Sequence, residues 1–175
     1  GQVYGALAGA DAVAHIGAWA NAGLVPDTRT YADNVSGTYN VFQACADLGI
    51  ARVVSASSAQ VYGFSGHSPI YAPVDEAHRV RPLNSYAASK IAGEQAATYF
   101  HDRYGLQICS FRFMGVRAPD ELPGQIAAIS KDPTTDAGLL WTRTDARDAA
   151  TACRLALETE AQLHGVYNIT GARVA

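Results

Sequence analysis

VVSASSAQVYG (residues 53–63) and NSYAASKIAGE (residues 84–94) frame the stretch on which the reading of this chain turns. The first segment ends an apolar, β-branched run in hydroxyls. The second puts Tyr86 and Lys90 one turn apart on a predicted helix, so both face the same way. A phenol of ordinary pKa, near 10, is a poor base at neutral pH, and an ammonium beside it favours the phenolate. Tyr86 could then take a proton from a substrate hydroxyl while Ser58 holds the same oxygen in place. Hydride leaving the carbon needs an acceptor that the protein's own side chains do not supply, which implies a nicotinamide cofactor.

Working outward, residues 3–9 read as the end of a helix closed by Gly9, and residues 11–16 as a short buried strand. A helix is predicted over 30–48, with Val41, Cys45 and Leu48 on one stripe and Gly49 as its stop. Residues 52–55 read as a strand, 63–83 as a long polar loop. Asn84 or Ser85 caps a helix running to Gly105. Its face of Ala88, Ala92, Gly93, Ala96 and Ala97 suits either tight packing on the sheet or a helix–helix seam between two copies. Residues 107–113 read as a strand and 118–138 as irregular, with a short helix at 125–129. Asp145 caps a helix to Glu158, with Asp148 in its first turn. A last strand covers 166–169. Strands alternating with helices specify an α/β fold with a parallel sheet and crossover connections. Ligands on such sheets sit at the carboxyl ends of the strands. There the order brings residues 15–19, 55–58 and 112–115 to one edge.

The 175 residues suffice for one domain with a real core; 49% are apolar, 17% charged, and the net charge is −3. That mild acidity gives no footprint for nucleic acid. The only lysines are Lys90 and Lys131. Cys45, Cys109 and Cys153 are far apart in apolar runs and read as buried hydrophobes in a reducing compartment. No metal site is expected. The apolar stretch 6–25 is broken by Asp11, His15 and Asn21 and does not read as a membrane span; with no signal peptide read, a cytoplasmic location is expected. His15 reads as a satisfied structural histidine, Trp19 and Trp141 as packing residues, and Arg147 and Asp148 as a solvated helix start.

In this order the motifs resemble the extended short-chain dehydrogenase/reductases, the NAD-dependent epimerase/dehydratase group. Residues 11–18 (DAVAHIGA) resemble the family's fourth-strand motif, which passes beside the cofactor. Residues 34–38 (NVSGT) resemble the helix motif whose asparagine supports the active site, and residues 57–63 (SSAQVYG) the serine motif. The resemblance implies Ser58, Tyr86 and Lys90 as catalytic residues, with Lys90 also on the nicotinamide ribose. It implies cofactor contacts at Ile16, Gly17, Ala18, Asn34, Ala56, Ser57, Tyr86, Lys90 and Phe113. Substrate contacts are implied at Ser58, Gln60, Gly115 and Val116. NAD is the implied cofactor, with NADP left open. It also suggests a homodimer joined through helices 30–48 and 86–104, and a Rossmann-like doubly wound sheet whose small substrate lobe comes from residues 113–145.

The departures matter as much. The family opens with a strand, a glycine-rich turn and a helix that holds the pyrophosphate. No such pattern follows a strand here, so the chain is expected to represent an N-terminally truncated version, with the first strand an open edge. Gly115 stands where nucleotide-sugar epimerases commonly carry asparagine, and the compact 112–148 segment resembles the reduced lobes of sugar-acid dehydrogenases. Ala59 and Gln60 stand where dehydratases carry acidic residues, which disfavours dehydration. The expected function is an NAD(P)-dependent sugar or nucleotide-sugar epimerase or oxidoreductase. The alternatives are a uronate-type dehydrogenase, or a catalytically silent remnant serving binding or dimerisation.

Overall fold

The computed structural model describes residues 1–171. Four parallel strands form one sheet in the order β1 (Ala12–His15), β2 (Arg52–Ser58), β3 (Gln107–Phe113), β6 (Gly165–Ile169). Helix α1 (Gln2–Leu7) precedes β1, and between the strands run helices α2 (Asp27–Leu48), α3 (Ser85–Tyr104), α4 (Leu122–Lys131) and α5 (Ala146–Glu158). Two short strands, β4 (Val116–Arg117) and β5 (Thr144–Asp145), pair in parallel beside the main sheet.

Side chains alternate across β2 and β3 with the period of two that a pleated strand imposes. Val53 and Ile108 point to one face, where Phe42 and Cys45 of α2 and Ala97 and Phe100 of α3 complete a core. Val54, Cys109 and Phe111 point to the other, against Ala152, Cys153 and Ala156 of α5. Helices on both faces of a parallel sheet make this the doubly wound, Rossmann-like architecture that the family resemblance implied, on the α/β alternation of elements. All three cysteines are free, and no helix among the described residues is long and apolar enough to cross a membrane.

Several local expectations change. Among the described residues β1 is an outer strand paired with β2 alone, and Ala14 is exposed; the strand is half-buried because no described residue pairs with its outer flank. The α2 stripe is set by Thr30, Asn34, Phe42, Ala44 and Cys45, while Leu48 is exposed. β2 runs three residues past Ser55, because its terminal serines are buried and hydrogen-bonded rather than solvated. The 125–129 helix is a ten-residue helix, followed by a 3-10 segment over Pro133–Leu139. At Gly93 the small face of α3 packs on α2: a Cβ added there would stand 3.5 Å from Thr38 Cγ2.

The 63–83 loop is polar in sequence yet pinned. His78 is buried among Tyr62, Phe64 and Tyr71, and its Nε2 accepts from the Ile70 amide at 3.0 Å. The Arg81 amide donates to the Val61 carbonyl at 2.8 Å. This loop delivers the chain to the N-terminus of α3.

Candidate active site

The carboxyl end of β2 sets the first group. Ser58 ends the strand in extended backbone, and its hydroxyl accepts from the Gln60 amide at 3.2 Å, capping a 3-10 turn over Ala59–Tyr62. Gly63 closes that turn at φ +72°, a conformation glycine reaches without steric cost. The returning loop passes so close that a Cβ there would lie 2.1 Å from the Arg81 carbonyl oxygen.

Asn84 sets the second and third groups. Its side chain accepts from the Ala87 amide at 2.8 Å and starts α3, as the cap reading required. Tyr86 and Lys90 follow one turn apart, 7% and 8% exposed. Lys90 Nζ donates to the Ala56 carbonyl at 2.7 Å and lies 5.5 Å from the Tyr86 ring centroid. β2 and α3 therefore bring Ser58, Tyr86 and Lys90 together.

The electrostatics differ from expectation. Burial pushes the Tyr86 phenol above its ordinary value, with the Ser58 hydroxyl pulling the other way. Burial pulls the Lys90 ammonium down to about 8. An ammonium beside the phenol is expected to lower it; here desolvation is the largest influence on both groups, and Lys90 directs a proton at the Ala56 carbonyl.

The other residues sort by location. Asn34 is buried and clasps the loop after β1: it accepts from the Trp19 amide at 2.8 Å and donates to the Trp19 carbonyl at 3.2 Å. It also donates to Ser89 Oγ at 3.1 Å, whose hydroxyl in turn donates to the Tyr86 carbonyl at 2.7 Å. Asn34 thus supports the helix that carries Tyr86. Ile16, Gly17 and Ala18 are exposed on that loop. His15 Nε2 bonds Thr38 Oγ1 at 3.0 Å, and burial, with a smaller contribution from Lys90, pushes it down to about 4; it is a neutral structural group. Ser57 and Ala56 lie in β2, and Phe113 is the register partner of Ser58 on β3. Gly115 and Val116 are partly buried where the chain leaves β3 for β4.

Gln60 donates to Asn21 Oδ1 and accepts from Asn84 Nδ2, both at 3.2 Å. These three amides share a cavity of about 340 Å³ with Phe64, Leu83 and Asp136. Neither lysine nor arginine lines it. Arg143 is tied to Asp136 in a buried ion pair, and the exposed Arg147 to Asp145.

One feature escaped the sequence reading. Glu94, a further turn along the Tyr86–Lys90 face, holds Arg112 in two bonds of 2.9 and 2.7 Å and accepts from Ser57 Oγ at 2.5 Å. Arg112 also donates to Tyr62 Oη at 2.9 Å, and Tyr62 donates to Asn168 Oδ1 at 2.8 Å. The signal was present in two forms: a carboxylate at i+4 from Lys90, and an arginine inside an apolar strand.

The model of a family described as NAD dependent epimerase/dehydratase matches residues 2–170. A 3beta-hydroxysteroid-dehydrogenase/decarboxylase isoform 2 of Arabidopsis thaliana is 31% identical over 73% of this chain and 23% of its own length. A uronate dehydrogenase of Pseudomonas syringae pv. tomato is 31% identical over 63% of this chain and 38% of its own. A UDP-glucose 4-epimerase from Brucella ovis, solved in complex with NAD, superposes with a TM-score of 0.78 at 22% identity, over 98% of this chain and 61% of that one. The chain therefore spans well under half the length of these two curated relatives.

Proposed function

The chain belongs to the NAD-dependent epimerase/dehydratase family, and from that premise we propose that it carries the alcohol-oxidising site of an NAD(P)-dependent sugar epimerase or oxidoreductase. The convergence of Ser58, Tyr86 and Lys90 at the carboxyl end of β2 supports this reading more than any other observation.

In this reading Tyr86 Oη takes the proton of a substrate hydroxyl, and Ser58 Oγ donates to the same oxygen and fixes its distance. Lys90 stands beside Tyr86 and offers its remaining N–H donors to the ribose hydroxyls of the nucleotide. NAD, when bound, supplies the acceptor for the carbinol hydride. The residues present fit its nicotinamide half: Gly17 and Ala18 leave the loop after β1 exposed, and a Cβ at Gly17 would meet nothing within 4 Å. The 113–145 segment would roof the substrate.

The substrate reading starts from the Gln60 cavity. Each amide oxygen of Asn21, Gln60 and Asn84 already accepts a protein N–H, so amide hydrogens remain for the oxygens of a polyol. A second reading, a dehydrogenase of free sugars or sugar acids, is favoured by that cavity's size, which suits one sugar ring better than a nucleotide sugar. A homodimer through α2 and α3 belongs to the same proposal; the exposed, stacked Tyr39 and Tyr99, with ring centroids 6.5 Å apart, support it. Its test is the mass in solution by light scattering.

Titration calorimetry with NAD and NADP tests the cofactor claim directly. NADH absorbance across sugars, sugar acids and nucleotide sugars then reads dehydrogenation, and NMR of the sugars reads epimerisation without net NADH. Absence of heat with both nucleotides would sink cofactor binding by this chain and leave the silent-scaffold alternative standing.

A further inference from the structure

Glu94 is placed where it can govern the geometry of the trio. Tyr86, Lys90 and Glu94 repeat at four-residue spacing on one face of α3. Across the sheet, Ser57, Arg112 and Asn168 are register partners on β2, β3 and β6. Glu94 reaches two of these three strands, through Ser57 Oγ at 2.5 Å and Arg112 Nε and Nη2 at 2.9 and 2.7 Å. Tyr62 closes the row: it accepts from Arg112 at 2.9 Å, donates to Asn168 at 2.8 Å, and stands in the turn that Ser58 caps. Arg112 and Glu94 side chains are 6% and 10% exposed.

We propose that Glu94 and Arg112 are a positioning pair that fixes α3 against the end of β2, and so sets where Lys90 and Ser58 stand relative to Tyr86. The consequence for chemistry rests on the proposed alcohol-oxidising role of that trio; the geometric claim does not. The network touches every segment that carries a member. Ser57 is the residue before Ser58, Glu94 is one turn beyond Lys90, and Tyr62 belongs to the turn that follows Ser58. A buried ion pair is a weak source of net stability, because desolvating both charges offsets their attraction. Its directional value is larger. The fork of Arg112 meets the carboxylate in two parallel bonds, which fixes both distance and plane. Sliding or rotating α3 would break those bonds together with the Ser57 contact. The same displacement would carry Lys90 Nζ off the Ala56 carbonyl.

The chain offers a direct test, since Lys90 and Lys131 are its only lysines. Lysine-selective 13C labelling gives two side-chain signals, with Lys131 on α4 as internal reference. Among the groups beside Lys90, His15 is held near 4 and Tyr86 above its ordinary value, so neither titrates where Lys90 does, near 8. In Glu94→Gln the fork loses its charged partner. The positioning role predicts that Lys90 leaves its buried carbonyl and titrates at least one pH unit higher, while Lys131 does not move. Ser57→Ala removes one bond to Glu94 with less strain on folding. It should shift Lys90 in the same direction by less, and it decides the question if Glu94→Gln does not fold. A Lys90 titration unchanged in the folded variants overturns the proposal. So does a downward shift, which the uncompensated charge of Arg112 alone would produce. Because the readout needs neither cofactor nor substrate, its failure is distinct from failure of the alcohol-oxidation reading.

Discussion

Tyr86 is a buried phenol whose proton is held more tightly than in water, and that fixes two expectations. Tyr86→Phe keeps the ring and loses the hydroxyl, so it should abolish NAD reduction with little change in NAD affinity by calorimetry; loss of binding instead would make Tyr86 structural. With the phenol held protonated near neutrality, alcohol oxidation should accelerate as pH rises and carbonyl reduction should slow, read from initial rates in both directions. Gly63 gives the sharpest prediction for folding. Its positive φ and the Arg81 carbonyl 2.1 Å from any Cβ leave no room for a side chain. Gly63→Ala should lower stability by about 2 kcal/mol or more in urea denaturation, through strain added to a steric clash. Ser58, Tyr86 and Lys90 were legible in the sequence because local rules place them: a strand end, a helix cap and a one-turn spacing. Glu94 with Arg112 was not, because their meeting depends on the register of β2 with β3 and on how α3 lies across both.

Helix α3 joins the site to the core, and its elements show what could be read and what could not. Asn84 as cap and Gly105 as stop follow from backbone chemistry that any helix obeys. Asn84→Ala should therefore cost about 1 kcal/mol in denaturation. The same variant should free Gln60 from its 3.2 Å partner. The small face was ambiguous, since a stripe of Ala and Gly suits a sheet, a neighbouring helix or a second copy alike. Thr38 of α2 beside Gly93 gives that position its neighbour within the chain. An alanine there meets ordinary contact distance, so Gly93→Ala should be neutral or stabilise by up to ~1 kcal/mol through helix propensity, whereas Gly93→Leu should destabilise by about 1–3 kcal/mol through overpacking. α4 starts three residues before the helix predicted at 125–129: Pro123 in the first turn suits a helix start, where its missing N–H has no intrahelical partner anyway. β2 was read too short, as polar side chains can end a strand's exposure pattern without ending its pairing.

At the scale of the whole molecule, two half-buried histidines, His15 and His164, make stability depend on pH. His15 is held near 4 against an ordinary 6.5, so the unfolded chain binds the proton more readily than the folded one. The contribution is present above pH 6.5 and is lost as pH falls from there towards 4. The full shift corresponds to ~3 kcal/mol before any discount for partial exposure. His164, stacked 3.9 Å from His101 and also shifted down by burial, adds in the same direction. Urea midpoints between pH 7 and 4 should fall, and His15→Asn should flatten part of that slope. The sheet carries a final consequence through the one-sided pairing of β1. Among the described residues, alternate amides of Ala12–His15 have no strand to donate to on the outer side, while those of β2 are claimed on both flanks. Deuterium should therefore enter the outward amides of β1 on the timescale of local fluctuation and those of β2 only when the whole domain opens. Exchange rates would grade the sheet from rim to centre, and any polypeptide that laid a further strand along β1 would announce itself by slowing that first, fast class.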